Sequence, residues 1–225
     1  MAPPLIVAID GPSGAGKSTA ARALAERLGI PYIDTGAMYR AVGLAVREAG
    51  LRLPLADPES VVAIAERGRI GLEPSERGLR VTWNGRDVSD AIREPEISLY
   101  ASAVSAIPGV RRRLVAEQQR LGREAGGVLE GRDIGTRVFP DTPHKFFLTA
   151  SPRVRAARRA RELADRGDPR PFEEVLSEME RRDRDDSTRA DSPLTFDSSY
   201  VVLDTSEKNV GQIVSEMEAR VRRGS

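Results

Sequence analysis

A nine-residue run near the amino end, Gly11-Pro12-Ser13-Gly14-Ala15-Gly16-Lys17-Ser18-Thr19, holds the residue types that bind a polyphosphate. From Gly11 to Ser18 it matches G-x-x-x-x-G-K-S. Glycines at these places let the backbone close tightly, with N–H groups turned toward one anion. A helix starting there adds the positive end of its dipole, and Lys17 reaches the β- and γ-phosphates. Ser18 sets a hydroxyl where it can ligate Mg²⁺. By chance such a pattern occurs in on the order of one chain of this length in a hundred. Here a buried strand at 5–9 precedes it, and a helical pattern at 19–28 follows and stops at Gly29. Motif and context together imply nucleotide binding. They leave the reaction open, because switches, motors and kinases share this loop. The sequence has no guanine-reading N-K-x-D segment, and Val128-Leu129-Glu130-Gly131-Arg132-Asp133 is a distorted form of a motor's acidic strand end. A small kinase fits the length better.

Asp34-Thr35-Gly36-Ala37-Met38-Tyr39-Arg40 falls where a second strand ends and a helix opens, the place where ligands lie in an open α/β sheet. Thr35 and Arg40 suit a second phosphate; equally, Asp34 or Thr35 is an N-cap and Arg40 a solvated charge. Arg182, Asp186 and Arg189 are spaced i, i+4, i+7, one helical face if the helix continues that far. The competing reading is a solvated face of ion pairs. Arg153, Arg155, Arg158, Arg159 and Arg161 crowd the preceding helix, with Arg155 and Arg159 on one face. Asp10 either orders Mg²⁺ through water or shapes the turn. His144, the single histidine, lies in a loop before a strand and makes a poor catalytic group.

The elements that must position these groups alternate strand and helix. A strand at 31–33 leads into a helix at 37–48 ended by Gly50, and strands at 127–130, 145–148 and 200–203 alternate with helices at 110–124, 153–166, 172–186 and 210–222. That order predicts a parallel sheet covered by helices. Between about 57 and 89 the rhythm breaks. After a helix at 58–66, Leu79–Trp83 alternates with period two and meets Asn84-Gly85, a type I′ hairpin signal. A further helix is expected at 94–104.

Composition narrows the classes. The chain has 225 residues, 35 Lys and Arg against 34 Asp and Glu, and 4% aromatics. It lacks both the basic field and the stacking rings of a nucleic-acid binder. Cysteine is absent, so disulfides, thiolate metal sites and cysteine nucleophiles are excluded. No apolar run is long enough for a membrane span, and the expected protein is soluble and cytoplasmic.

Four segments, Ile9–Thr19, Asp34–Arg40, Glu130-Gly131-Arg132-Asp133-Ile134-Gly135-Thr136 and Arg182–Arg189, resemble in order those of bacterial cytidylate kinases. The resemblance runs nearly end to end and includes the hairpin. It implies an α/β fold: a P-loop NTPase core with a parallel sheet flanked by helices, an inserted NMP-binding subdomain with an antiparallel hairpin, and a short helical lid. In one domain the core would be 1–56, 105–152 and 187–225, the insertion about 57–104 and the lid about 153–186. The implied reaction is transfer of the ATP γ-phosphoryl group to CMP or dCMP with Mg²⁺. ATP would lie on Gly11 to Thr19 with Arg155 and Arg159, and Mg²⁺ on Ser18. Lys17, Arg182 and Arg189 would be catalytic. Thr35, Arg40 and Arg111 would face the CMP phosphate, Ser102, Arg132 and Asp133 the cytosine, and Arg182, Asp186 and Arg189 the ribose and phosphates. The partners implied are small molecules, with no nucleic acid, no membrane and a monomeric chain. Competing readings are a kinase for UMP, AMP or a shikimate-like alcohol, and a nucleotide-switched binding module. The segment Thr195-Phe196-Asp197-Ser198-Ser199-Tyr200 departs from the family pattern but carries none of these residues.

Overall fold

The computed structural model describes residues 4–75, 78–189 and 191–224. In chain order its elements are β1 (Ile6–Asp10), α1 (Lys17–Leu28), β2 (Tyr32–Asp34), α2 (Thr35–Glu48), α3 (Pro58–Arg67), β3 (Ile70–Ser75), β4 (Gly78–Trp83), β5 (Arg86–Asp87), α4 (Pro95–Ser105), α5 (Pro108–Ala125), β6 (Gly127–Glu130), β7 (His144–Thr149), α6 (Pro152–Asp165), α7 (Phe172–Thr188), β8 (Val201–Asp204) and α8 (Val210–Arg223). Contacts group them into two compact units, one running through Tyr32 and resuming at Leu121, the other Ile33–Arg120.

A five-stranded sheet runs in the order β2-β6-β1-β7-β8, and its strands β1, β6, β7 and β8 lie in the first unit. Its β1–β6, β1–β7 and β7–β8 pairings are parallel, as the strand–helix alternation requires. Val7, Ile9, Val128, Phe146 and Leu148 fill one face of the central strands and pack with Leu24 of α1 and Met217 of α8, while Ala8, Leu129 and Phe147 are buried on the other. Burial on both faces explains why these strands read as continuous apolar runs. Register sets Ile9 against Glu130 and Asp10 against Phe147, so the acidic end of β6 lies beside the root of the glycine-rich loop. α6 and α7 pack through Ala156, Leu163, Val175 and Met179.

The second unit takes in α2 and most of α5 along with the segment expected as an insertion. Its antiparallel sheet runs β3-β4-β5, and Asn84 (φ 52°) and Gly85 (φ 83°) form the left-handed turn that Asn-Gly implies. β3 is not evident from sequence because Gly71 and Pro74 weaken the strand signal. An edge strand tolerates such residues, since one side of its ladder needs no donor. A π-helical turn at Ile134–Val138 was also not anticipated. α2 ends at Glu48 with Ala49 as its C-cap, and Gly50 (φ 82°) lies one residue beyond the cap. Among the described residues no helix is long and apolar enough to cross a membrane.

Candidate active site

Gly11 sits at φ 143°, and a Cβ there would lie 2.0 Å from the Leu148 carbonyl oxygen, so no other residue fits between β1 and β7. Gly16 (φ 84°) forms the left-handed entry to α1. Lys17, only 7% exposed, donates from Nζ to the Pro12 carbonyl at 2.8 Å. Burial, helped by the nearby Arg132 guanidinium, pushes its ammonium down to about 7 against the opposing pull of Glu130, Asp10 and Asp186. Ser18 Oγ donates to Glu130 Oε2 at 2.9 Å, and the Tyr32 hydroxyl donates to the other Glu130 oxygen. Hydroxyl and carboxylate oxygens side by side are the hard donors that Mg²⁺ takes, so the residues present fit that ion. Glu130 and Tyr32 were not among the sequence-derived site residues. The signals for Glu130 were its place at the end of an apolar strand and at the head of a segment resembling the family.

Asp186 is 8% exposed and lies between cations, with Arg132 Nε at 2.9 Å from Oδ2 and Arg189 Nη1 at 3.5 Å from Oδ1. Burial alone would raise its carboxyl, but Arg132, Arg182 and Arg189 outweigh it and hold the group below the usual carboxylate range. A solvated charge run does not look like this. α7 ends at Thr188, so Arg189 is its C-cap rather than a third helical position, and its Nε donates to the Ser192 carbonyl at 2.6 Å. Asp133 is buried at the head of the π-helical turn, where its carbonyl accepts from the Arg137 and Val138 N–H groups.

Asp10 is wholly buried and accepts from Ile134 N (2.8 Å), Gly135 N (2.9 Å) and the Tyr200 hydroxyl (2.8 Å). Of its two sequence readings, this favours shaping the turn. Burial raises its carboxyl to about 6 despite the two backbone donors. His144 is buried in β7, and desolvation lowers its imidazole, in keeping with a structural role.

The α6 arginines divide. Arg155, expected on ATP, is buried: Nε donates to the Ala150 carbonyl (2.9 Å), and Nη1 to the Ser13 carbonyl (3.3 Å) and Asp183 Oδ2 (2.5 Å). Its guanidinium therefore braces the loop's own backbone. Arg159 pairs with Glu162 at 2.9 Å and is the more exposed of the two. In the second unit Asp34 caps α2 by accepting from Ala37 N and also accepts from Arg40 Nη2, both at 2.8 Å. Arg40 is thus an ion-pair partner and not a free solvated charge. Thr35 and Arg111 are buried, and Arg111 lies 5.6 Å over the Tyr39 ring and donates to the Ser105 carbonyl at 3.2 Å. Ser102 is half-buried on α4. The structure therefore groups Lys17, Ser18, Arg132, Asp133, Arg182, Asp186 and Arg189 in the first unit, and Thr35, Arg40, Ser102 and Arg111 in the second.

A family model described as cytidylate kinase matches residues 7–223. The chain belongs to the cytidylate kinase family. It is 45% identical to a cytidylate kinase of Caldanaerobacter subterraneus subsp. tengcongensis, over 97% of this chain and 95% of that protein. With a cytidylate kinase of Solibacter usitatus it shares 46% identity over 93% of this chain and 88% of the relative. It is also 53% identical, over 84% of its length, to a bifunctional pantoate ligase/cytidylate kinase of Prochlorococcus marinus, of which the match spans 39%. A solved structure of an uncharacterized protein from Eubacterium ventriosum shares the fold at TM-score 0.54 and 13% identity, covering 97% of this chain and 98% of that one. Cytidylate kinases are phosphotransferases, and membership places this chain among enzymes of that class.

Proposed function

We propose that the chain transfers the γ-phosphoryl group of ATP to CMP or dCMP, releasing ADP and CDP or dCDP. The observation that carries this is the desolvated Lys17 at the head of α1, which rests on the neutral Pro12 carbonyl. A lysine disfavoured as a cation until an anion arrives gains most from a polyphosphate. The attacking group is an oxygen of the CMP phosphate, already anionic at pH 7, so no general base is required. It forms a bond to the γ-phosphorus as the bridging oxygen leaves with ADP. Catalysis then consists of in-line positioning and charge stabilisation. Lys17, Arg182 and Arg189 supply cationic donors. Ser18 and Glu130 would hold Mg²⁺, which when bound neutralises charge on the β- and γ-phosphate oxygens. Arg159 is the lid arginine we assign to ATP.

On the acceptor side, Thr35, Arg40 and Arg111 take the CMP phosphate, and Arg182, Asp186 and Arg189 the ribose and phosphates. Asp133 accepts from the cytosine amino group, while Ser102 or Arg132 donates to the ring acceptors. Uracil would set an oxygen against the same carboxylate, leaving polar groups unmatched, so UMP is rejected. The near-zero net charge argues against a nucleic-acid partner, and we take the chain to act on small molecules as a cytoplasmic monomer.

A coupled ADP-release assay with ATP and Mg²⁺ tests this, offering CMP, dCMP, UMP, AMP and no acceptor in parallel. Rapid release with CMP or dCMP and little with UMP is expected. Equal slow release in every well would refute the acceptor assignment.

A further inference from the structure

Four consecutive carbonyls of the glycine-rich loop each accept a hydrogen bond from a side chain. Pro12 accepts from Lys17 Nζ at 2.8 Å, Ser13 from Arg155 Nη1 at 3.3 Å, Gly14 from Arg158 Nη1 at 3.4 Å, and Ala15 from Thr205 Oγ1 at 3.0 Å. The first donor opens α1; the others come from α6 and from the residue that follows β8. In a trans peptide the C=O and the next N–H point in opposite directions. Fixing a carbonyl on one side of the loop therefore directs the following N–H to the other side. A row of carbonyls held this way is the complement of N–H groups aimed at an anion, with the Ala15 N–H turned back instead to the Pro12 carbonyl at 3.4 Å.

The outside donors are themselves fixed. Thr205 is 1% exposed, and its backbone N–H donates to the Thr149 carbonyl at 2.8 Å. Its hydroxyl donates to Ala15 and accepts from Arg158 Nη1 at 3.0 Å, which uses its one proton and one lone pair. Arg158 Nη2 also donates to the Thr205 carbonyl at 2.6 Å. Arg155 and Arg158 are three residues apart on α6, on one side of the helix. Arg155 joins the loop to α7 as well, through Asp183 at 2.5 Å.

We propose that Arg155, Arg158 and Thr205 are positioning residues for the nucleotide, holding the loop in its anion-binding shape and tying that shape to the α6–α7 hairpin. They act on ATP through the loop backbone. The proposal deepens the function proposed above and rests on its assignment of the ATP phosphates to this loop.

The test compares Thr205→Val, a near-isosteric change that removes both hydrogen bonds of the hydroxyl, with Thr205→Ser, which restores them. Affinities of the full-length enzyme for ATP and for CMP are measured separately by calorimetry, with the melting temperature of the unliganded protein and both KM values alongside. Thr205→Val is expected to weaken ATP binding about tenfold while CMP affinity stays within about twofold, and Thr205→Ser to recover ATP affinity. ATP affinity unchanged in Thr205→Val would overturn the proposal. So would a parallel loss of ATP and CMP binding that serine does not rescue, since that marks a general folding defect. If Thr205→Val does not fold, Arg158→Lys serves instead: it keeps the charge but lacks the planar fork that spans Gly14 and Thr205, and the same ATP-selective loss is expected. Wild-type enzyme that binds ATP but phosphorylates no CMP would refute the function and leave the brace standing. Failure of the wild type to bind ATP would sink both.

Discussion

The two compact units treat charge in opposite ways. In the first, Asp10, Lys17, Glu130, Arg132, Arg155 and Asp186 are buried or nearly so, each bonded to a partner on another element or in the loop. In the second, Arg111 is the one buried charged side chain among the described residues. The ion pairs of that unit lie at the surface, as Arg86–Glu48, Arg80–Glu73 and Arg47–Glu94 do, or are half-buried, as Arg40–Asp34 is. A region that must stabilise a transferring phosphoryl group gains from charges fixed in advance in a low dielectric, where each is worth more than in water. Under the proposed function, the region that docks the acceptor needs fewer. Substitutions of charged residues should therefore matter far more in the first unit than in the second.

The sharpest way to break that contrast is Lys17→Ala. It should lower kcat by about 10²–10³ while the protein stays folded, and near-normal turnover in steady-state assays would remove the central claim. Next comes Asp186→Ala, which removes the carboxylate that pairs with Arg132 and Arg189. A loss of about 3 kcal/mol in denaturant unfolding is expected, with CMP binding weakened as well.

Asp10→Asn comes third. Three donors converge on this carboxylate, and an amide turned either way sets its own N–H against one of the backbone N–H groups, costing about 1–3 kcal/mol. The pH dependence has a definite sign. Burial lifts the Asp10 carboxyl from 3.8 to about 6, so between those values the native state holds the proton that the unfolded state has released. The Asp10 contribution to stability is then fully present below about pH 4 and declines as pH rises through 6. The gap between wild type and Asp10→Asn should narrow over that range, by at most about 1.4 kcal/mol per pH unit. Urea titrations between pH 5 and 7 would show this, and a gap that widens would contradict it.

Two smaller effects sharpen the other side of the contrast. Arg111→Met should weaken CMP about tenfold and leave ATP affinity unchanged, read by separate calorimetric titrations. Arg86→Ala, in an exposed pair, should move stability by less than about 0.5 kcal/mol.

Much of this was legible in the chain itself. The loop from Gly11 to Ser18, the apolar strands, the Asn84-Gly85 turn and the Arg182–Arg189 run are written in neighbouring residues, because turn chemistry and periodicity act over a few positions. Sequence also singled out Lys17, Arg132 and Asp186, which the fold buries or half-buries in the first unit. It did not separate the arginines of α6, for composition alone cannot tell a buried guanidinium bonded to the loop's carbonyls from an exposed one. Nor did it show β3, whose Gly71 and Pro74 speak against a strand until β4 is there to pair with it.

Local sequence thus determined a phosphate-binding turn between a buried strand and a helix, a sheet of parallel strands, and the set of charged residues available for chemistry. Tertiary structure decided which of them meet. Ser18 reaches Glu130 across 112 positions, and Asp10 finds Tyr200, like Thr205 its Ala15 carbonyl, across 190. Such pairings arise only when parallel strands set their ends side by side, and no short-range pattern encodes them.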